Sequence, residues 1–121
     1  VKILVVDDDP VVLASCRRIL QAEAHEVGVA SSTTEALSAL AGQSYQLLVV
    51  DVIMPEYDGI FLIGMVRKKW PELPILVMSG YPTPETISSG LRMGATYFIA
   101  KPFTPDELVA AVSRALEAER R

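Results

Sequence analysis

The chain has 121 residues, half of them hydrophobic and 21% charged, with a formal net charge of −4. That is the composition of one globular domain with a core of its own, and the acidic balance speaks against nucleic acid or an anionic membrane surface as a ligand of this segment. No apolar run approaches the ~20 residues a membrane helix needs, no leader is expected ahead of so strand-like a start, and a lone cysteine, Cys16, excludes an internal disulfide and fits a reducing, cytoplasmic setting.

Lys2 to Val6 is a continuous apolar run, the pattern of a strand buried on both faces, and it ends in Asp7-Asp8-Asp9. Pro10 suits the first position of a helix capped by Asp9. In that helix Val12, Cys16, Ile19 and Leu20 recur at helical spacing and face the core, which makes Cys16 a small buried hydrophobe. Val11, Ala14, Ser15 and Arg18 fall on the outer side. Glu26 to Ala30 reads as a short strand, and His25 before it as a solvated residue. Ser32-Thr33-Thr34-Glu35 is a capping box, opening a helix that turns Ala36, Leu37, Leu40 and Ala41 inward until Gly42 stops it.

Leu47 to Val50 is another continuous apolar run of the buried-strand kind, and it runs into Asp51. Met54-Pro55 and the turn pair Asp58-Gly59 follow, then a helix from Ile60 to Trp70 whose Arg67-Lys68-Lys69 run reads as a solvated face near a helix C-terminus. Pro74 to Met78 is a fourth strand delivering Ser79-Gly80. The next helix, about Pro84 to Met93, contains Thr86, Ile87, Ser88, Ser89 and Gly90, each a poorer helix former than Ala by roughly 0.4–1 kcal/mol. Tyr97 to Ala100 is a fifth strand delivering Lys101-Pro102. Thr104-Pro105-Asp106-Glu107 then joins a capping box to a proline at the first helical position and opens a long last helix.

Five strands alternating with five helices imply a parallel sheet covered on both faces, a single flavodoxin-like doubly wound (βα)5 sandwich over residues 1–121. Parallel strands bring their carboxyl ends to one rim, where open α/β sheets bind ligands. Asp7, Asp8, Asp51, Ser79 and Lys101 all sit at such ends. Three crowded carboxylates repel one another unless a cation intervenes, and an oxygen-only donor set with waters left to complete an octahedron suits Mg2+. A metal and a lysine around one carboxylate make a positive pocket for a phosphoryl group, and a carboxylate nucleophile can form an aspartyl-phosphate.

These segments resemble the receiver domains of bacterial two-component response regulators, chemotaxis receivers among them. The resemblance rests on Val-Val-Asp7-Asp8-Asp9-Pro10, Asp51-x-x-Met54-Pro55-x-x-x-Gly59, Met78-Ser79-Gly80 and Lys101-Pro102-Phe103-Thr104, and it spans essentially the whole chain. It implies strand order 2-1-3-4-5. It also implies that Asp51 is the phosphoacceptor and that Asp8 ligates Mg2+ directly, Asp7 through water. The backbone carbonyl of Ile53 would be a further ligand. Ser79, Gly80 and Lys101 would contact the phosphoryl group, Ser79 and Phe98 would form the switch, and Lys101-Pro102 would be a cis peptide. The partner implied is a sensor histidine kinase or phosphotransfer protein, docking near Val11, Ala14, Ser15 and Arg18. The face made by the fourth helix, fifth strand and fifth helix would carry the output, including a homodimer.

Three other readings compete. A haloacid-dehalogenase-type phosphatase needs a second acid two residues past its nucleophile, where this chain has Ile53. A flavodoxin needs a first loop that cradles phosphate, which Asp7-Asp8-Asp9 would repel. A degenerate receiver would serve as an interaction module without being phosphorylated.

Overall fold

A computed structural model of the chain describes residues 1–51, 59–80 and 84–118. The elements alternate strictly: β1 (Lys2–Val6), α1 (Pro10–Gln21), β2 (Glu26–Ala30), α2 (Thr33–Gly42), β3 (Leu47–Asp51), α3 (Gly59–Lys69), β4 (Ile75–Ser79), α4 (Pro84–Met93), β5 (Tyr97–Ala100) and α5 (Pro105–Ala118). The strands form one parallel sheet in the order β2-β1-β3-β4-β5. Two elements are shifted by one residue from the sequence reading. The third helix runs Gly59–Lys69 rather than Ile60 to Trp70, and β4 runs Ile75–Ser79 rather than Pro74 to Met78.

The central strands β3 and β4 are buried along their whole length, as continuous apolar runs demand when both faces are covered. Alternate side chains go to opposite faces. Leu4, Val6, Leu48, Val50, Ile75 and Val77 pack with residues of α2 and α3. Ile3, Val5, Leu47, Val49, Leu76 and Met78 pack with residues of α1 and α5.

Local capping chemistry starts three of the helices, α1, α2 and α5. Asp9 caps α1 by accepting from the Val11 N–H at 2.9 Å, with Pro10 in the first turn. Leu13, Cys16 and Leu20 are the buried residues of α1, while Val12 and Ile19 lie at the margin of the core. Burial of Cys16 and the nearby Asp7 carboxylate, only partly offset by Lys101, push the thiol up to about 11, so it stays protonated and inert. In α2 the Ser32 hydroxyl accepts from the Glu35 N–H, but Glu35 reaches back one residue further than the box implies, to the Ser31 N–H and hydroxyl. Ala41 is exposed rather than inward, and the helix leaves through an extended Gln43 rather than a left-handed glycine. At α5 the box is reciprocal: Glu107 N–H to the Thr104 hydroxyl at 3.1 Å, and Thr104 N–H to the Glu107 carboxylate at 2.8 Å.

Candidate functional site

Register sets the geometry of the carboxyl rim. Val6 pairs with Val50 and Asp51 with Met78, so Asp7, Asp51 and Ser79 leave adjacent strands at nearly the same level. Asp7 and Ser79 are wholly buried, Asp51 is 7% exposed, and Asp8 is exposed at the mouth. The carboxylates of Asp7, Asp8 and Asp51 place ligand atoms within 4.8 Å of one another.

Lys101 enters from the end of β5. Its backbone N–H donates to the Ser79 carbonyl at 2.7 Å, and the Lys101–Pro102 peptide is cis. Its ammonium donates to Asp7 Oδ2 at 2.6 Å and Asp51 Oδ2 at 2.9 Å. Asp7 is held again by the Asp9 N–H, which donates to its other oxygen at 2.9 Å. Burial pulls the Lys101 pKa down, but the hydrogen bonds and charges of Asp7 and Asp51 outweigh it, leaving the ammonium above the usual lysine value. A fixed cation between two buried carboxylates is what keeps so much negative charge tolerable in the interior.

Other residues flagged by the sequence arrive at different distances from this centre. Val11, Val12 and Ser15 on α1 face Gly80, Lys101, Pro102 and Phe103 across an open cleft of about 460 Å³. A Cβ at Gly80 would meet nothing within 4 Å, so the rim is open there. Ala14 and Arg18 are exposed and do not line the cleft. Phe98 is half-buried, pairs with Val77 and packs against the α2–α3 side of the core. Ile53, Met54 and Pro55 lie outside the described residues. Arg67 corrects the expectation of a solvated basic run. It is half-buried, and its guanidinium donates to the carbonyls of Trp70, Pro71 and Gly94, the last at 2.6 Å. The orphan carbonyls expected at a helix C-terminus were the available signal, though not the partner across the fold.

The sequence profile of the response regulator receiver domain matches residues 3–113. The chain belongs to the receiver-domain family. It is 42% identical over 114 residues to an uncharacterised 14.6 kDa protein of Leptolyngbya boryana, covering 93% of this chain and 87% of that protein. A putative NtrX-like response regulator of Rickettsia bellii is 32% identical over 99% of this chain. Among solved structures, NtrX from Brucella abortus matches with a TM-score of 0.93 at 36% identity over 98% of this chain. A CheY-like receiver domain protein of Methanospirillum hungatei matches with a TM-score of 0.92 at 29% identity, covering 98% of this chain and 95% of that one. The chain spans about a quarter of the length of the NtrX-type relatives, 26% and 27%. Receivers of this family are phosphorylated on an aspartate, take the phosphoryl group from histidine kinases, and generally bind Mg2+ at an acidic pocket. Among the described residues, no helix is long and apolar enough to cross a membrane.

Proposed function

We propose that Asp51 is the phosphoacceptor of this receiver, with Asp7, Asp8, Asp51 itself and the Ile53 carbonyl holding Mg2+ and Lys101, Ser79 and Gly80 surrounding the incoming phosphoryl group. The observation that carries this reading is the Lys101 ammonium bridging Asp7 and Asp51. Three carboxylates with ligand atoms within 4.8 Å fit a hard, oxygen-liganded cation. Mg2+, when bound, supplies positive charge against the equatorial phosphoryl oxygens and the crowded carboxylates.

The chain's own groups do the rest. An Asp51 carboxylate oxygen forms the new P–O bond as the P–N bond of the donor phosphohistidine breaks, and the departing imidazole takes the electron pair. Lys101 transfers a hydrogen bond from the Asp51 carboxylate to a phosphoryl oxygen, holding its charge where charge develops. The Ser79 hydroxyl donates to the same group. The domain thus supplies the catalytic groups for its own phosphorylation and dephosphorylation. Ser79 moving toward the phosphoryl group opens space that Phe98 fills, and α4 repacks above it. The α4–β5–α5 face then binds the output partner or a second copy, while the cleft beside Val11 and Ser15 docks the kinase or phosphotransfer protein.

Incubation with acetyl phosphate and Mg2+ is expected to add one phosphoryl group per chain by intact mass, labile to hydroxylamine. EDTA blocks the reaction and Asp51→Asn abolishes it. Equal labelling of the Asn variant would overturn the assignment, and failure of the wild type to label would favour the degenerate receiver.

A further inference from the structure

On the face of the molecule formed by α3 and α4, an open groove of about 390 Å³ runs between the two helices. Its floor is apolar: Phe61 is 47% exposed, Met65 38% and Met93 41%. Its ionisable lining residues are all cations, Arg67, Lys68 and Arg92, on a chain whose net charge is −4. Neither Lys68 nor Arg92 pairs with an acid among the described residues.

The end of α4 that lines the groove is held against α3. A Cβ at Gly64 would lie 2.6 Å from Met93 Cε, so the missing side chain admits Met93 and lets α4 come close to α3. Gly94, just past α4, has φ +118, and its carbonyl takes the Arg67 guanidinium. Arg67 therefore ties the end of α3 to the end of α4. A groove set before binding costs its ligand less ordering entropy.

We propose that this groove is a docking surface for an acidic helical segment of a partner protein, carrying apolar anchors on one face. The apolar floor takes the anchors at helical spacing, and the cationic rim complements flanking carboxylates. A symmetric contact with a second copy would set cation against cation. A nucleic acid backbone or a layer of anionic headgroups would use the cationic rim but offers no apolar side chains at helical spacing to cover Phe61, Met65 and Met93. The groove lies away from the carboxyl rim and is tested in the unphosphorylated chain, so its failure is distinguishable from failure of the phosphoacceptor assignment.

The test is fluorescence anisotropy of the intact chain with a labelled synthetic helix bearing Leu and Phe anchors on a Glu-rich background. Saturable binding is expected. It weakens at least about tenfold as ionic strength rises from about 0.01 to about 0.15 M, where the screening length falls from about 30 to about 8 Å. Lys68→Glu with Arg92→Glu, and separately Met65→Asp, each weaken it about tenfold or more, as loss of a charge pair or a buried anchor would. Circular dichroism melts of the variants confirm that they fold, and acetyl-phosphate labelling stays intact. Absence of saturable binding, equal binding of a Lys-rich version of the helix, or insensitivity to all three substitutions would overturn the proposal. So would a preference for anionic vesicles or duplex DNA over the Glu-rich helix.

Discussion

Helices α4 and α5 both flank β5, yet they are held by different means. In α5, Leu108, Ala111, Val112 and Ala115 are buried against the sheet, and a reciprocal capping box fixes the first turn. Among the described side chains of α4, Ile87 is only half-buried, Leu91 and Met93 are 51% and 41% exposed, and Gly90 is the residue that is buried. Its composition is also poor in helix formers, so its tertiary contacts must supply what propensity does not. Those contacts gather at one end: the Ala95 N–H donates to the Gly90 carbonyl, and Arg67 holds Gly94. The contrast separates a fixed strut from an element with a low cost of local opening, which is the kind of element a phosphorylation switch can move.

The largest expected effect comes from the strut. Leu108→Ala removes a wholly buried side chain and is expected to cost about 2–5 kcal/mol in urea denaturation. Ile87→Ala in α4 is expected to cost less, about 1–2 kcal/mol, since that side chain is only partly buried. Equal losses would erase the distinction. Thr104→Ala, which opens the α5 capping box, is expected to cost about 1 kcal/mol.

Hydrogen exchange tests the contrast without mutation. Amides from Ile87 to Arg92 are expected to exchange faster than those from Val109 to Leu116 in the free protein, and to change most when beryllofluoride mimics the phosphoryl group. Similar protection in both helices, unmoved by beryllofluoride, would rule out α4 as the mobile element. The smallest effect is the sharpest in location. Ser88→Ala, at an exposed site in α4, raises helix propensity by roughly 0.5 kcal/mol and is expected to slow exchange in α4 while leaving α5 exchange unchanged.

Most of the architecture was legible in the chain because its signals are local. Apolar runs ending in Asp7, Asp51 and Ser79 marked buried strands, and Ser32, Thr104 and Pro105 marked helix starts at the positions where helices begin. The misplaced readings were those in which a neighbour distant in sequence decides the outcome. Ala41 sits on the predicted inward stripe of α2, yet it is exposed while Leu40 beside it is buried. Leu13 is the exception, since it stands three residues before Cys16 and seven before Leu20, on their own helical stripe, and joins them in the core. Arg67 looked like one of three surface cations until Gly94 arrived from 27 residues away.

The sequence by itself determined which side chains stand at strand ends, since a continuous apolar run and a breaker suffice to place a residue on a buried strand and at its edge. Only the tertiary structure decided that Lys101 reaches both Asp7 and Asp51, at sequence separations of 94 and 50. It also decided that Asp7 is buried while Asp8, its neighbour, faces solvent. Those facts depend on strand order and register, fixed by how two faces of one sheet bury their apolar residues against α2 and α3 on one side and α1 and α5 on the other. No local stretch carries that information, because the free energy that selects it is shared across the whole core.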